Sequence, residues 1–77
     1  MSPMTVIVKP LGMLKSYTGG QSEVTVPAGR TISEAMQSLG IPPEVAALVT
    51  VNDEQQPKDY VLREGDVVKL IAVIGGG

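Results

Sequence analysis

A single short amphipathic helix limits the folds that this chain can adopt. Thr31 and Glu34 have the spacing of a capping box, in which each side chain accepts a hydrogen bond from the other residue's backbone N–H. Four apolar residues then recur on one helical face, namely Ile32, Ala35, Met36 and Leu39. Gly40 and the Pro42-Pro43 pair end the helix. A helix of about nine residues is not stable alone, so the sequence predicts that it packs on a sheet.

Five segments have the composition or the alternation that is typical of β-strands. They are residues 5–9, 23–26, 48–51, a short segment near 60–62, and 67–74. The last is the most strand-like, and Lys69 is its single charged residue. This predicts a central strand that is covered over most of its length. Residues 43–46 are predicted to form one further helical turn.

The order of these elements is strand, strand, helix, strand, short strand, strand. A right-handed crossover places the helix on one face of a mixed sheet, with the last strand beside the first. The pattern predicts an α+β chain with the ubiquitin-like β-grasp fold: a mixed sheet of four to five strands with one main helix packed on one face. We expect this domain to span residues 1–74, followed by a flexible glycine tail over residues 75–77.

Composition excludes several kinds of chemistry. The 77 residues include no Cys and no His, so the chain has no thiol nucleophile, no imidazole base and neither of the commonest metal-ligating side chains. We therefore expect no catalytic residue and no metal site. The net charge of −2 has the wrong sign for a duplex-binding surface. Tyr17 and Tyr60 are too few aromatic residues for a single-strand stacking platform, so no nucleic-acid partner is expected.

The ends and the apolar stretches suggest where the protein works. The first four residues lack the basic and apolar regions of a signal peptide. The longest apolar stretches, residues 45–49 and 70–74, are far too short to span a membrane. We expect a cytoplasmic protein with no membrane partner.

Two other candidate sites are explained by turns. The spacing of five carboxylates matches no calcium loop, and we expect them in solvated turns and caps: Asp53, Glu54, Asp59, Glu64 and Asp66. Gly19 and Gly20 lack the rest of a phosphate-binding motif, and they are predicted to form a hairpin turn.

The chain ends in Gly75, Gly76 and Gly77, directly after the last predicted strand. A segment without side chains has only the width of the backbone, so it can thread a narrow channel. Two interpretations stay open on physical grounds. The glycines are a frayed end, or they present the terminal carboxylate to the catalytic centre of another enzyme.

Five stretches of the sequence resemble a known family. They are residues 14–20 (LKSYTGG), 24–32 (VTVPAGRTI), 51–54 (VNDE), 62–68 (LREGDVV) and the terminal Gly-Gly. In this order they resemble the prokaryotic ubiquitin-like sulfur-carrier proteins, which include the small subunit of molybdopterin synthase and the thiamine-pathway sulfur carrier. The resemblance covers nearly the whole chain.

The resemblance implies a carrier or a small non-catalytic synthase subunit rather than an enzyme. An adenylating enzyme of the ubiquitin-activating type would use ATP and Mg²⁺ to adenylate the carboxylate of Gly77, with Gly75 and Gly76 threaded into that partner. A sulfur donor protein would then convert the adenylate to a thiocarboxylate. The carrier would deliver this sulfur to a sulfur-accepting synthase subunit in cofactor biosynthesis. The chain itself would bind no cofactor.

Departures from the family pattern leave the acceptor pathway open. The chain ends in three glycines where the family usually has two, so Gly77 is the working end or is trimmed to Gly76. The residues before the glycines are not the prolines frequent in the molybdopterin branch, whereas the long N-terminal hairpin is similar to that branch. Two alternatives also remain: a ubiquitin-like modifier conjugated through its C-terminal glycine, and a non-covalent interaction module. Ile71 and Val73 are candidate docking residues on an exposed sheet face.

Overall fold

The computed structural model describes residues 4–72, which form a five-stranded sheet, one α-helix and two 3₁₀ helices. The strands are β1 (Thr5–Pro10), β2 (Val24–Pro27), β3 (Ala46–Val51), β4 (Glu54–Gln55) and β5 (Val67–Ala72). The α-helix, α1, spans Ile32–Ser38. The 3₁₀ helices span Gly12–Thr18 and Pro43–Val45.

The order of strands across the sheet is β2-β1-β5-β3-β4. β1 and β5 run parallel, from the pair Ile7–Val67 to the pair Pro10–Leu70, and the other neighbouring strands are antiparallel. The predicted mixed sheet with the last strand beside the first is confirmed. β5 lies at its centre and is paired along both edges.

The core is aliphatic and lies between the sheet and α1. Alternate residues of the three central strands face it, and α1 adds its apolar stripe: Val6, Val8, Val49, Val51, Val68, Leu70, Ile32, Ala35 and Met36 are all buried. The other face of the sheet has no covering layer among residues 4–72. Val67, Lys69 and Ile71 are therefore half-buried on that face, so β5 is central as predicted but is fully covered on one face only.

The capping box predicted for the helix start is present. The Thr31 hydroxyl accepts a hydrogen bond from the Glu34 N–H at 3.1 Å, and the Glu34 carboxylate accepts one from the Thr31 N–H at 2.9 Å. At the other end, Gly40 takes a φ of 77°, which its lack of a Cβ permits. The observed helix, Ile32–Ser38, has 7 residues and is slightly shorter than the helix predicted from the sequence.

Two sequence predictions differ from the structure. The short strand expected near residues 60–62 is an isolated bridge between Val61 and Thr31. The fifth strand is β4, because Asn52 and Asp53 both adopt positive φ, at 53° and 70°. Positive φ at two central residues is the geometry of a tight hairpin turn, which returns the chain onto β3.

The connection from β1 to β2 also differs from the loop expected there. It contains the Gly12–Thr18 3₁₀ helix, which is anchored by its single buried residue, Leu14. Gly19 follows in the left-handed region at a φ of 68° and ends this helix. The expected role of this glycine in a turn is confirmed, and the predicted helical turn before β3 is the Pro43–Val45 helix.

The capping box gives the stability a pH dependence that can be measured. Hydrogen bonds from the backbone N–H and the hydroxyl of Thr31 lower the pKa of Glu34 from its ordinary value of 4.5. Because the folded pKa is lowered, the ionised carboxylate stabilises the fold above pH 4.5, and this contribution is lost as the pH falls through the folded pKa. Glu34→Gln keeps an acceptor for the cap but removes the titration.

We expect the free energy of unfolding of wild type to fall relative to that of Glu34→Gln as the pH is lowered below 4.5. Urea denaturation at a series of pH values measures the difference. Glu54→Gln, which removes an exposed carboxylate of β4, is the control and should follow the wild-type curve. Parallel curves for wild type and Glu34→Gln would show that the capping carboxylate does not titrate with folding.

Candidate functional site

Of the predicted site residues, the structure describes Ile71, at the C-terminal end of β5. Ile71 lies in the last two residues of this strand. Val73, Gly75, Gly76 and Gly77 lie outside the described residues. The last three described residues of β5, residues 70–72, are called the tail base below, because the glycine segment follows them in the sequence.

Backbone pairing holds the tail base on both sides. The Leu11 N–H donates to the Leu70 carbonyl at 3.0 Å, and Ala46 of β3 pairs with Ala72. A bulge between Ala46 and Leu48 adds one residue to β3 there and brings Ala46 onto the buried face, where Ala72 also packs. The strand is therefore fixed up to its last described residue.

The uncovered face of the sheet carries an apolar patch at the tail base. Ile71 is paired with Leu48, and both side chains are half-buried. Lys69 precedes Ile71 by two residues, on the same face of β5, and it lies beside Lys9 of β1. Asp53 pairs with Lys69 at 3.0 Å and Glu23 lies 3.8 Å from Lys9, which reduces the repulsion between the lysines. The face at the tail base thus presents aliphatic groups beside two lysines that are each paired with a carboxylate.

A polar cluster fixes the opposite end of β5. Asp66 is only 6% exposed, and its carboxylate accepts hydrogen bonds from Asn52 Nδ2 at 3.0 Å and from the Arg63 N–H at 2.9 Å. The Tyr60 hydroxyl lies 3.5 Å from it. Asn52 Oδ1 in turn accepts from the Val67 N–H at 3.0 Å. These bonds tie the β3–β4 turn to the first residue of β5.

The prediction of solvated carboxylates is wrong for Asp66 and correct for Asp53, Glu54, Asp59 and Glu64, which are exposed. The sequence predicts that Asp66 lies in a turn. Its hydrogen-bond partner Asn52, however, is 14 residues away along the chain. No local pattern could have identified this contact. The structure assigns Asp66 to a structural role at the start of the strand that leads to the tail base.

Among residues 4–72, no three acidic residues are grouped so that they could hold a metal ion. Over the same residues, no helix has the length and apolar character needed to cross a membrane.

Solved structures with the same fold identify the class of protein. SAMP1 from Haloferax volcanii aligns with a TM-score of 0.68 and 20% identity, over 95% of this chain and 99% of that one. Urm1 from Trypanosoma brucei aligns at 0.64 and 21%, over the whole of both chains. The complex of subunits 1 and 2 of molybdopterin-converting factor from Helicobacter pylori contains a chain that aligns at 0.59 and 20%, over 96% of this chain and 100% of that one. The chain is a ubiquitin-like β-grasp protein.

The family follows from the sequence itself. The model of the ThiS family matches residues 8–77, and the chain belongs to this family of ubiquitin-like sulfur carriers. No curated protein sequence matches it significantly. The resemblance drawn from the sequence is therefore confirmed at the level of the family.

Replacing Asp66 tests whether the polar cluster holds the start of β5. Asp66→Ala leaves the Arg63 N–H and the Asn52 amide without their acceptor, and we expect it to lower the free energy of unfolding by about 1–3 kcal/mol. Asp59→Ala removes an exposed carboxylate and should change the stability by less than about 0.5 kcal/mol. Urea denaturation at pH 7 measures both. Equal stabilities of the two variants would contradict the structural role.

Proposed function

We propose that this chain is a sulfur carrier, whose C-terminal glycine carboxylate is adenylated and converted to a thiocarboxylate that donates sulfur in cofactor biosynthesis. The observation that carries the proposal is the ThiS family match, which continues through residue 77 and so includes the three glycines. The paired tail base supports it, since only Val73 and Ile74 separate this strand from the glycine segment in the sequence.

The chemistry explains why the chain needs a partner. A carboxylate is a poor electrophile at neutral pH, so an oxygen of Gly77 must first attack the α-phosphorus of ATP and displace pyrophosphate. Hydrosulfide-level sulfur from a donor protein then attacks the acyl carbon, and AMP leaves with the electrons of the C–O bond. ATP and Mg²⁺ belong to the adenylating enzyme. This chain has no His or Cys to assist either step. Its role is to present its terminal carboxylate to the adenylating enzyme.

Docking of the partners is assigned to the uncovered face of the sheet at the tail base. Ile71 and Leu48 offer aliphatic surface there, and Val73 follows in the sequence. A sulfur-accepting synthase subunit is one such partner, by analogy with the two-subunit molybdopterin-converting factor that shares the fold. The adenylating enzyme and the sulfur donor protein are the others. The acceptor on this proposal belongs to a molybdopterin-type or a thiamine-type pathway.

A second candidate function uses the same activated end. In a ubiquitin-like modifier, the amine of a target lysine would attack the acyl carbon and form an amide bond. The similarity to Urm1 and SAMP1, which align better than the molybdopterin-converting factor subunit, favours keeping this candidate. A modifier would leave covalent conjugates that persist under denaturing conditions, whereas a sulfur carrier would leave none.

The carrier proposal is tested by the intact mass of the protein. The full chain is incubated with the adenylating enzyme encoded in the same genome, ATP, Mg²⁺ and sulfide, and we expect a mass increase equal to replacement of one oxygen by sulfur. Deleting Gly76 and Gly77 should abolish the increase because the end no longer reaches the acyl-transfer centre. Thermal unfolding should show that the truncated chain folds like wild type. The same mass increase in the truncated chain would refute the proposal.

The docking surface has its own prediction. Ile71→Ser removes aliphatic surface at the tail base, and we expect it to raise the apparent KM of the chain for the adenylating enzyme about tenfold. Val61→Ser, at an exposed apolar residue outside β5, is the control and should leave KM within about twofold. Pyrophosphate release measures both. Equal KM values for the two variants would show that Ile71 is not in the interface.

A further inference from the structure

A cleft of about 370 Å³ lies between the two 3₁₀ helices. Its lining is mostly apolar and comes from Met13, Leu14, Ser16, Tyr17, Glu44 and Val45. The first four belong to the Gly12–Thr18 helix and the last two to the Pro43–Val45 helix. We call it the tail-side cleft, for the reason given next.

The topology of the sheet places this cleft at the tail base. β1 is parallel to β5, so the Gly12–Thr18 helix that follows β1 lies at the C-terminal end of β5. β3 is antiparallel to β5, so the Pro43–Val45 helix that precedes β3 lies at the same end. The two walls of the cleft therefore continue from the two strands that flank the tail base.

The exposed apolar side chains of the protein are concentrated here. Among residues 4–72, five large apolar side chains are exposed, and three of them fall within residues 11–17: Leu11, Met13 and Tyr17. Met13 is 71% exposed and Tyr17 is 42% exposed, while Leu14 between them is only 1% exposed. Leu14 thus anchors the helix, and its neighbours present a flexible thioether and an amphipathic ring, both common in interfaces.

The lining of the cleft contains one charged side chain. Glu44 is exposed and lines the cleft, and no cation of the described residues lies within ion-pair distance of its carboxylate. The lysines of the sheet are instead occupied by Glu23 and Asp53. A ligand for this cleft is therefore apolar where it meets Met13 and Tyr17, and positively charged where it meets Glu44.

The length of the remaining chain indicates which molecule reaches the cleft. Five residues follow Ala72, and at about 3.3–3.6 Å per residue they place the terminal carboxylate within about 18 Å of the tail base. An enzyme that holds this carboxylate in its catalytic centre must approach within that distance. A typical interface of about 800 Å² per partner that is centred on the tail base therefore includes the cleft.

We propose that the tail-side cleft receives an apolar side chain of the adenylating enzyme, flanked by a Lys or Arg that pairs with Glu44. This rests on the proposed function, since the enzyme that binds the chain end is the occupant. It adds a second contact at the same end of β5 as Ile71. Two separate contacts around the tail base fix the direction in which the chain end enters the partner.

The test compares apolar side chains inside and outside the cleft. The double variant Met13→Ser/Tyr17→Ser should raise the apparent KM of the chain in ATP-dependent pyrophosphate release at least about tenfold, with kcat unchanged. The control Met4→Ser/Val61→Ser removes two exposed apolar side chains elsewhere and should stay within about twofold of wild type. Thermal unfolding checks both, and the single variant Met13→Ser replaces the double variant if that one does not fold.

The charge is tested separately. Glu44→Lys should raise KM several-fold more than Glu64→Lys, an equal change at an exposed acid outside the cleft, and the difference should shrink at high salt. Equal effects of the two reversals would overturn the cationic part of the inference.

The outcomes separate the inference from the proposed function. If wild type releases no pyrophosphate with the enzyme, both fall. If wild type is active and the cleft double variant has the KM of its control, the cleft inference falls and the carrier function stands.

A dimer of wild type that the double variant converts to a monomer would assign the cleft to a second copy. A shift of the Met13 methyl resonance on deleting residues 73–77 from the isolated chain would assign it to the chain's own end.

Discussion

The backbone pairing of β5 on both edges is the constraint on which the structure depends. β5 joins the parallel pair with β1 to the antiparallel pair with β3, so the first and the last strands of the chain are neighbours. Each ladder supplies hydrogen bonds that an edge strand would lack. The core-facing residues Val68 and Leu70 of this doubly paired strand are buried, and the strand is the one that precedes the glycine segment in the sequence.

The two ends of β5 are built from different interactions. At the start, the buried Asp66 and the amide of Asn52 form directional polar contacts that admit one register. At the end, Ile71 and Leu48 present aliphatic surface on the uncovered face of the sheet, and the tail-side cleft lies at the same end of the strand. Directional bonds suit a fixed structural joint, whereas apolar surface with little internal partnering suits contact with another molecule. The start of β5 is therefore held by internal hydrogen bonds, whereas its end offers apolar surface to a partner.

The parts of the fold that sequence analysis predicted are those with local causes. The capping box of Thr31 and Glu34 and the β-branched run of β5 each lie within a few residues, and their structures follow from those residues. β4 was missed because Glu54 and Gln55 have no strand propensity and pair with β3 through the positive φ angles of the preceding turn. The Asp66 cluster and the tail-side cleft join segments that are distant in sequence, so no window of residues contains either. The role predicted for the terminal glycines rests on composition alone, because three successive residues without side chains can be recognised in the sequence without any structure.

The division of labour between the chain and its partner follows from these features. The chain has an aliphatic core and contains no His or Cys. On the proposed function, what it can supply is position, and position depends on the rigidity of the tail base. A glycine segment gains access to a narrow channel at the cost of any side chain that could be recognised. Recognition must then come from the globule, which is why apolar surface close to Ala72 matters more than surface elsewhere. A partner that contacts both Ile71 and the cleft would bind β5 in one orientation only. A chain end held in another orientation would not reach the reacting centre.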